Sequence, residues 1–175
     1  AEMGAHVTIF ELDPERTRLI DQVSGGGIRT EHSTETALAA ALPSADVVIG
    51  AVLLPGGRAP LLLRRDLLAT MQRGSVFVDL AIDQGGCSDT SRPTSHSHPT
   101  YIEEGVVHYC VTNMPGAYPR TATLALTGTT LRYIEAIADL GLERSAERFP
   151  EMSSGLNIRD GEIVNPSVAA SFARS

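Results

Sequence analysis

Apolar positions along this chain change their period repeatedly, and the changes mark out its elements. Residues 6–10 (HVTIF) read as an apolar strand that ends on Glu11. Asp13-Pro14 then starts a helix, with Asp as N-cap and Pro at the first helical position. Arg16, Leu19, Ile20 and Val23 continue at helical spacing until Gly25-Gly-Gly27 stops it. A second strand is predicted at 28–32, a short helix at 37–42 and a third strand at 46–53 (DVVIGAVL). The last is apolar throughout, as a strand buried on both faces of a parallel sheet is. Pro55-Gly-Gly57 turns the chain into a predicted helix at 61–71. The apolar, β-branched run 75–81 (SVFVDLA) is the next strand, followed by a long polar loop and a last strand at 106–111. After Pro119 the period is helical, with Leu124, Leu131, Ile134 and Ala138 on one face of a segment running to about Gly141. Residues 142–175 read as short helices and loop, with no strand signal.

Strands alternating with helices at this spacing predict an α/β fold with a doubly wound parallel sheet. The opening departs from that plan: residues 1–5 read as the tail of a helix, capped by Gly4. Composition adds exclusions. The formal net charge is −7 with no basic cluster, which disfavours nucleic acid and anionic membrane surfaces as partners. No apolar run approaches the roughly 20 residues of a membrane span. The start carries no basic segment or cleavage site of a signal peptide. The cysteines, Cys87 and Cys110, are too far apart for a CxxC motif and suit a reduced, cytoplasmic compartment; both read as buried, inert thiols, and no metal signature is present. All 14 basic residues are Arg, so this chain supplies no lysine to any mechanism.

The stretch richest in chemistry is DLAIDQGGC (79–87), run into TSRPT (90–94). The strand at 75–81 delivers an acid, Asp83, into a Gly-Gly turn, and ligands of open α/β sheets sit beyond the carboxyl ends of the strands. A carboxylate there, beside glycines that allow close approach, is a candidate for chemistry; the alternative is an ordinary turn Asp. Glu11 ends the first strand, where a dinucleotide-binding fold places the acid that holds the ribose diol. Its alternative is a solvated strand-end acid. With Glu11 in that role, the G-x-G-x-x-G loop falls roughly ten residues before Ala1, and none occurs within the chain. The expectation is therefore a Rossmann-type sheet lacking its first strand, in a chain that is truncated or whose start is set too far downstream. Glu11 also favours NAD over NADP, because an acid repels a 2′-phosphate.

Several separate words then agree at once: VTIFELDPER, DVVIGAVLLPGGRAP, GSVFVDLAIDQGGC, TSRPT, HPTY, VVHYCVTNMPGAYPRTAT and LALT. In order and spacing they resemble the C-terminal half of bacterial alanine dehydrogenases, over essentially the whole chain. The resemblance implies an NAD-dependent oxidoreductase that interconverts L-alanine with pyruvate and ammonia, related in fold to the NAD-binding part of proton-translocating transhydrogenase. It implies a partial NAD-binding domain at 1–119, a segment at 120–175 that returns to the substrate domain, and a homohexamer. By the same resemblance Glu11 holds the adenosine ribose, although the family commonly has Asp there, and Ser33 is an adenosine-side contact. Val52 and Leu53 pack on the cofactor, Leu80 and Asp83 lie at its nicotinamide end, and Val111, Asn113 and Met114 close over the nicotinamide. Asp83 is the one catalytic acid the pattern places in this half. The family's Lys, His and substrate-binding Arg belong to the other half. His96 and His98 read as solvated loop residues and His108 as structural. Gly128, in ALTGTT, stands where the family commonly has Asn, a variation at a helix start. Two alternatives remain: a transhydrogenase subunit, whose pattern has Glu and then a glycine pair and Asn where this chain has Asp83-Gln-Gly-Gly-Cys87, and an inactive nucleotide-binding remnant.

Overall fold

Two hydrogen-bonded ladders carry the expected alternation. The computed structural model describes residues 1 and 3–172, and of Ser171 the backbone alone. Strand β1 (Thr8–Glu11) pairs in parallel with β2 (Arg29–His32) across helix α1 (Pro14–Ser24). Asp13 caps α1, its Oδ1 accepting from the Glu15 N–H at 2.8 Å, and Gly25 ends it in the left-handed conformation with φ 57°. Helix α2 (Glu35–Ala41) leads to a second sheet in which β3 (Val47–Gly50), β4 (Val76–Asp79) and β6 (Val106–Tyr109) are parallel, and β5 (Thr100–Glu103) runs antiparallel at the edge beyond β6. Among the described residues no ladder joins β1 to β3.

The core lies on one face of the second sheet. Phe77 and Val106, with Val48 beside them, pack under Leu42, Leu63, Leu67, Leu68 and Met71. The opposite face is less covered: Val47 is 54% and Ile49 60% exposed. This chain thus leaves bare a face that parallel sheets ordinarily bury.

Several elements differ from the reading of the sequence. Residues 61–71 are not one helix; α3 is a single turn, Arg65–Leu68. The Leu62 and Leu63 amides donate instead to the Cys87 carbonyl at 2.9 and 3.1 Å, and Leu63 bridges Ser88. Leu63, Leu67, Leu68 and Met71 of this run are buried, while Leu61 and Leu62 stand exposed. The long polar loop contains β5, joined to β6 by Glu104 and Gly105, both at positive φ as a type I′ hairpin turn demands. Past α4 (Pro119–Leu140), α5 (Leu142–Arg148) and α6 (Glu151–Gly155), the tail holds a second small hairpin, β7 (Ile158–Arg159) with β8 (Glu162–Ile163), before α7 (Pro166–Phe172). Its turn is Asp160-Gly161, both at positive φ, and Asp-Gly between such strands is the signal the reading overlooked. The Gly4 N–H donates to the Ala1 carbonyl at 2.9 Å.

Helix α4 has the length expected of it, and Gly128 lies in its interior rather than at a start. The face carrying Leu124, Leu131 and Ile134 is exposed, whereas Ala136 is buried. The inward side turns to α5, where Tyr133 meets Phe149 edge-on with ring centroids 5.2 Å apart. Among the described residues no helix is long and apolar enough to cross a membrane.

Candidate functional site

Because β3, β4 and β6 run parallel, their carboxyl ends open on one side of the sheet, and the residues singled out in the sequence follow those ends. Past β3, Val52 packs partly against the core while Leu53 is 69% exposed. Past β4, Leu80 is 50% exposed and its amide donates to the Gly50 carbonyl at 2.8 Å, tying the two strand ends together. The chain then enters the 3-10 turn Ile82–Gln84, which presents Asp83 to solvent. Past β6, Val111 is fully buried and Asn113 sits in the left-handed conformation with φ 50°. That conformation points the Asn113 N–H at Asp83, 3.3 Å from both carboxylate oxygens. Met114, half-buried, begins the 3-10 turn that follows.

The structure therefore brings Asp83 and Asn113 together from two strand ends, with Leu53 and Leu80 following the carboxyl ends of β3 and β4. His96, read as a solvated loop residue, joins this group: its Nε2 lies 3.2 Å from the Asn113 carbonyl oxygen, which accepts from it. His98 lies in the same loop and its amide donates to Ser95 Oγ at 3.3 Å. His108 is structural, fully buried, with Nδ1 at 3.0 Å from the Val106 carbonyl and Nε2 at 2.8 Å from Thr90 Oγ1. Its ring stacks on Tyr101 and meets Phe77 edge-on, and Arg92 covers the outer face of Tyr101 at 3.8 Å. Burial raises the Tyr101 hydroxyl above its ordinary value. That stack fastens the TSRPT loop to β5 and β6.

Gln84 clamps the Asp83 turn to the segment after β3. Its Nε2 donates to the Leu54 carbonyl at 3.1 Å, and its main-chain carbonyl accepts the Ala59 amide at 3.0 Å. Both cysteines are buried free thiols. Burial first, and then the charge of and hydrogen bond to Asp79, push the Cys87 thiol up to about 12; burial likewise raises Cys110.

At the end of β1, Oε1 of Glu11 accepts the amides of Leu12 and Asp13 at 2.7 and 3.0 Å, and the Glu11 carbonyl accepts the Ser33 amide at 3.0 Å. The two adenosine-side candidates are thus neighbours across the β1–β2 ladder. Asp79, Ser91 and His96 are the members of the site region that sequence reasoning did not assign. For Asp79 a signal was available, an acid inside an otherwise apolar strand.

Residues 1–166 match the family described as Alanine dehydrogenase/PNT, C-terminal domain. The chain belongs to this family. It is similar to the alanine dehydrogenases of Halomonas elongata, 47% identical over 170 residues, and Mycolicibacterium smegmatis, 46% identical over 169. Each alignment takes in 97% of this chain and 46% of the relative, so the chain spans about half the length of the curated relatives it matches. A solved L-alanine dehydrogenase superposes with a TM-score of 0.81 at 43% identity, over 99% of this chain and 48% of the other. The transhydrogenase from Sinorhizobium meliloti shares the fold, with a TM-score of 0.64 at 24% identity over 95% of this chain and 44% of the other. The family likeness agrees with the Rossmann-type α/β architecture described above.

Proposed function

We propose that this chain is the NAD-binding half of an enzyme that oxidises L-alanine to pyruvate and ammonia, reversibly. The observation that carries the reading is the Asp83–Asn113 pair at the carboxyl end of the second sheet, in a chain whose relatives are alanine dehydrogenases. The residues present suit the cofactor. Leu53 and Leu80 offer exposed apolar surface at the strand ends for a nicotinamide ring, and Glu11 with Ser33 offers polar groups for an adenosine ribose. Val52 would back Leu53 from the core, and Val111, Asn113 and Met114 would close the nicotinamide end. Residues 1–119 form the cofactor domain in this reading. The segment from about 120 leaves it for the substrate domain, a reading supported by the exposed apolar face of α4 and its packing on α5. The same reading carries a cytoplasmic homo-oligomer, hexameric by the family resemblance.

NAD, when bound, supplies the hydride acceptor; the protein's part is orientation and polarity. Asp83 would hold the substrate amine, or the group that takes its proton, at a carboxylate oxygen. The Asn113 N–H, equidistant from both oxygens, fixes the plane of that carboxylate. A lysine, if one takes part, comes from outside these residues, since the chain has none.

The test joins this chain to the N-terminal half of the Halomonas elongata relative and follows NADH appearing from L-alanine and NAD. Asp83→Asn should lower kcat by about a hundredfold or more while leaving NAD binding near the parent value. Parent turnover in that variant sinks the assignment.

A further inference from the structure

The acid at position 79 is fully buried, yet it has no part in the chemistry above. Four donors converge on it. Oδ1 accepts the Ala81 amide at 2.9 Å and faces Cys87 Sγ at 3.5 Å; Oδ2 accepts the Cys87 amide at 2.9 Å and Ser91 Oγ at 2.5 Å. The amide donors stand on either side of Asp83 in the chain, so Asp79 closes the 81–87 loop at its base and Asp83 rides on it. Two further bonds, from Gln84 and Gly86 amides to the Ala81 carbonyl at 2.9 and 3.0 Å, complete the loop.

The loop is seated on the acid without slack. A Cβ on Gly86 would lie 2.6 Å from Ser91 Cβ and 3.0 Å from Asp79 Oδ2, and one on Gly50 would lie 2.3 Å from Cys87 Sγ. Through Ser91 the same carboxylate also holds the loop that carries His96, which meets Asn113 from the other side. Both segments that touch the Asp83–Asn113 pair therefore meet at one buried group. A buried carboxylate is costly unless its lone pairs are met. Packing alone would be satisfied by an apolar side chain of similar volume. What such a side chain lacks is an acceptor for donors from two loops.

We propose that Asp79 is a positioning residue for the reaction, acting through the 81–87 loop to hold Asp83 against the Asn113 amide. The proposal rests on the alanine-oxidising reading of the site. Asp79→Asn keeps the size and one acceptor but turns an NH2 group toward the Cys87 amide. In the fusion with the Halomonas elongata half, it should lower kcat about tenfold with the KM for NAD unchanged within about twofold. The double variant Asp79→Asn with Asp83→Asn should be no slower than Asp83→Asn alone, because one residue works through the other. Hydrogen exchange read by mass spectrometry should speed up in the segment 112–114 as well as in 81–87.

Parent kcat in Asp79→Asn, multiplied losses in the double variant, or unchanged exchange at 112–114 would each overturn the proposal. Should Asp79→Asn not fold, Ser91→Ala removes one donor and leaves no orphaned amide. It should show the same selectivity at a smaller size, kcat falling about threefold, and parent kcat with parent exchange there would count equally against the proposal. If the fusion does not oxidise alanine, or Asp83→Asn turns over normally, the functional reading fails. The exchange at 112–114 then decides the role of Asp79 by itself.

Discussion

A strand-end acid serves its own loop before it serves any ligand. Glu11 accepts the next two amides through a single oxygen, which fixes the direction its carboxylate faces at the end of β1. Glu11→Ala therefore removes a loop contact and a negative charge together. Glu11→Gln separates the two, since its carbonyl oxygen can still accept both amides. Glu11→Ala in the fused enzyme should weaken NAD binding by about 1–3 kcal/mol, the scale of a hydrogen bond to a charged group. Glu11→Gln should show a substantial part of that loss with little change in melting temperature. Calorimetric titration with NAD reads both, and equal affinity in the two variants and the parent would remove Glu11 from the ribose site.

At the scale of elements, the hairpin of β5 and β6 is anchored to α3 by Arg65, whose Nη1 reaches Glu103 at 2.5 Å and Glu104 at 2.7 Å. The hydrogen bond from Arg65, then its charge, hold the Glu103 carboxyl below its ordinary value of 4.5, and the same pairing raises Arg65 so that it stays charged throughout. A carboxyl lowered on folding contributes stability that is complete above its unfolded value and disappears as pH falls through the folded one. The contribution is thus present above pH 4.5 and lost below it. Thermal melts of Glu103→Gln and the parent should differ at neutral pH, and the difference should shrink as pH falls below 4.5. The difference is small, because the pair is solvent-exposed and screened. A gap that persists undiminished in acid would place the effect in packing rather than charge.

For the whole molecule, the decisive features are the open edges and the bare face. Among the described residues β1 and β3 have no ladder between them, and Val47 and Ile49 stand exposed on a strand of parallel-sheet character. Unpaired strand edges and exposed apolar surface favour association. The 175-residue chain by itself should aggregate as its concentration rises, seen by light scattering, and should produce no NADH from L-alanine above a no-enzyme control. Added NAD should not change that, while the fusion should be active. Saturable turnover by the chain alone would show that the site needs nothing beyond these residues.

What was legible in the sequence were the features written by local chemistry or by uninterrupted apolar period. The Asp13-Pro14 helix start, the Gly25 stop, the apolar strands and the long helix of α4 follow from propensity and pattern over a few residues. The strand ends carrying Glu11 and Asp83 could be named because parallel topology alone places such ends on one side, whereas Leu53 and Leu80 were named through the family resemblance. The short α3 was not legible, because whether residues 62 and 63 coil or extend depends on the Cys87 carbonyl, more than twenty residues away, accepting their amides. The β5 edge strand was hidden by its polarity, since an edge strand has less need of the apolar run that marks a buried one. The meeting of Asp83 with Asn113, the approach of His96, and the four donors gathered on Asp79 belong to no segment. They arise where strands distant in sequence end side by side, and only the packed sheet decides which loop faces which.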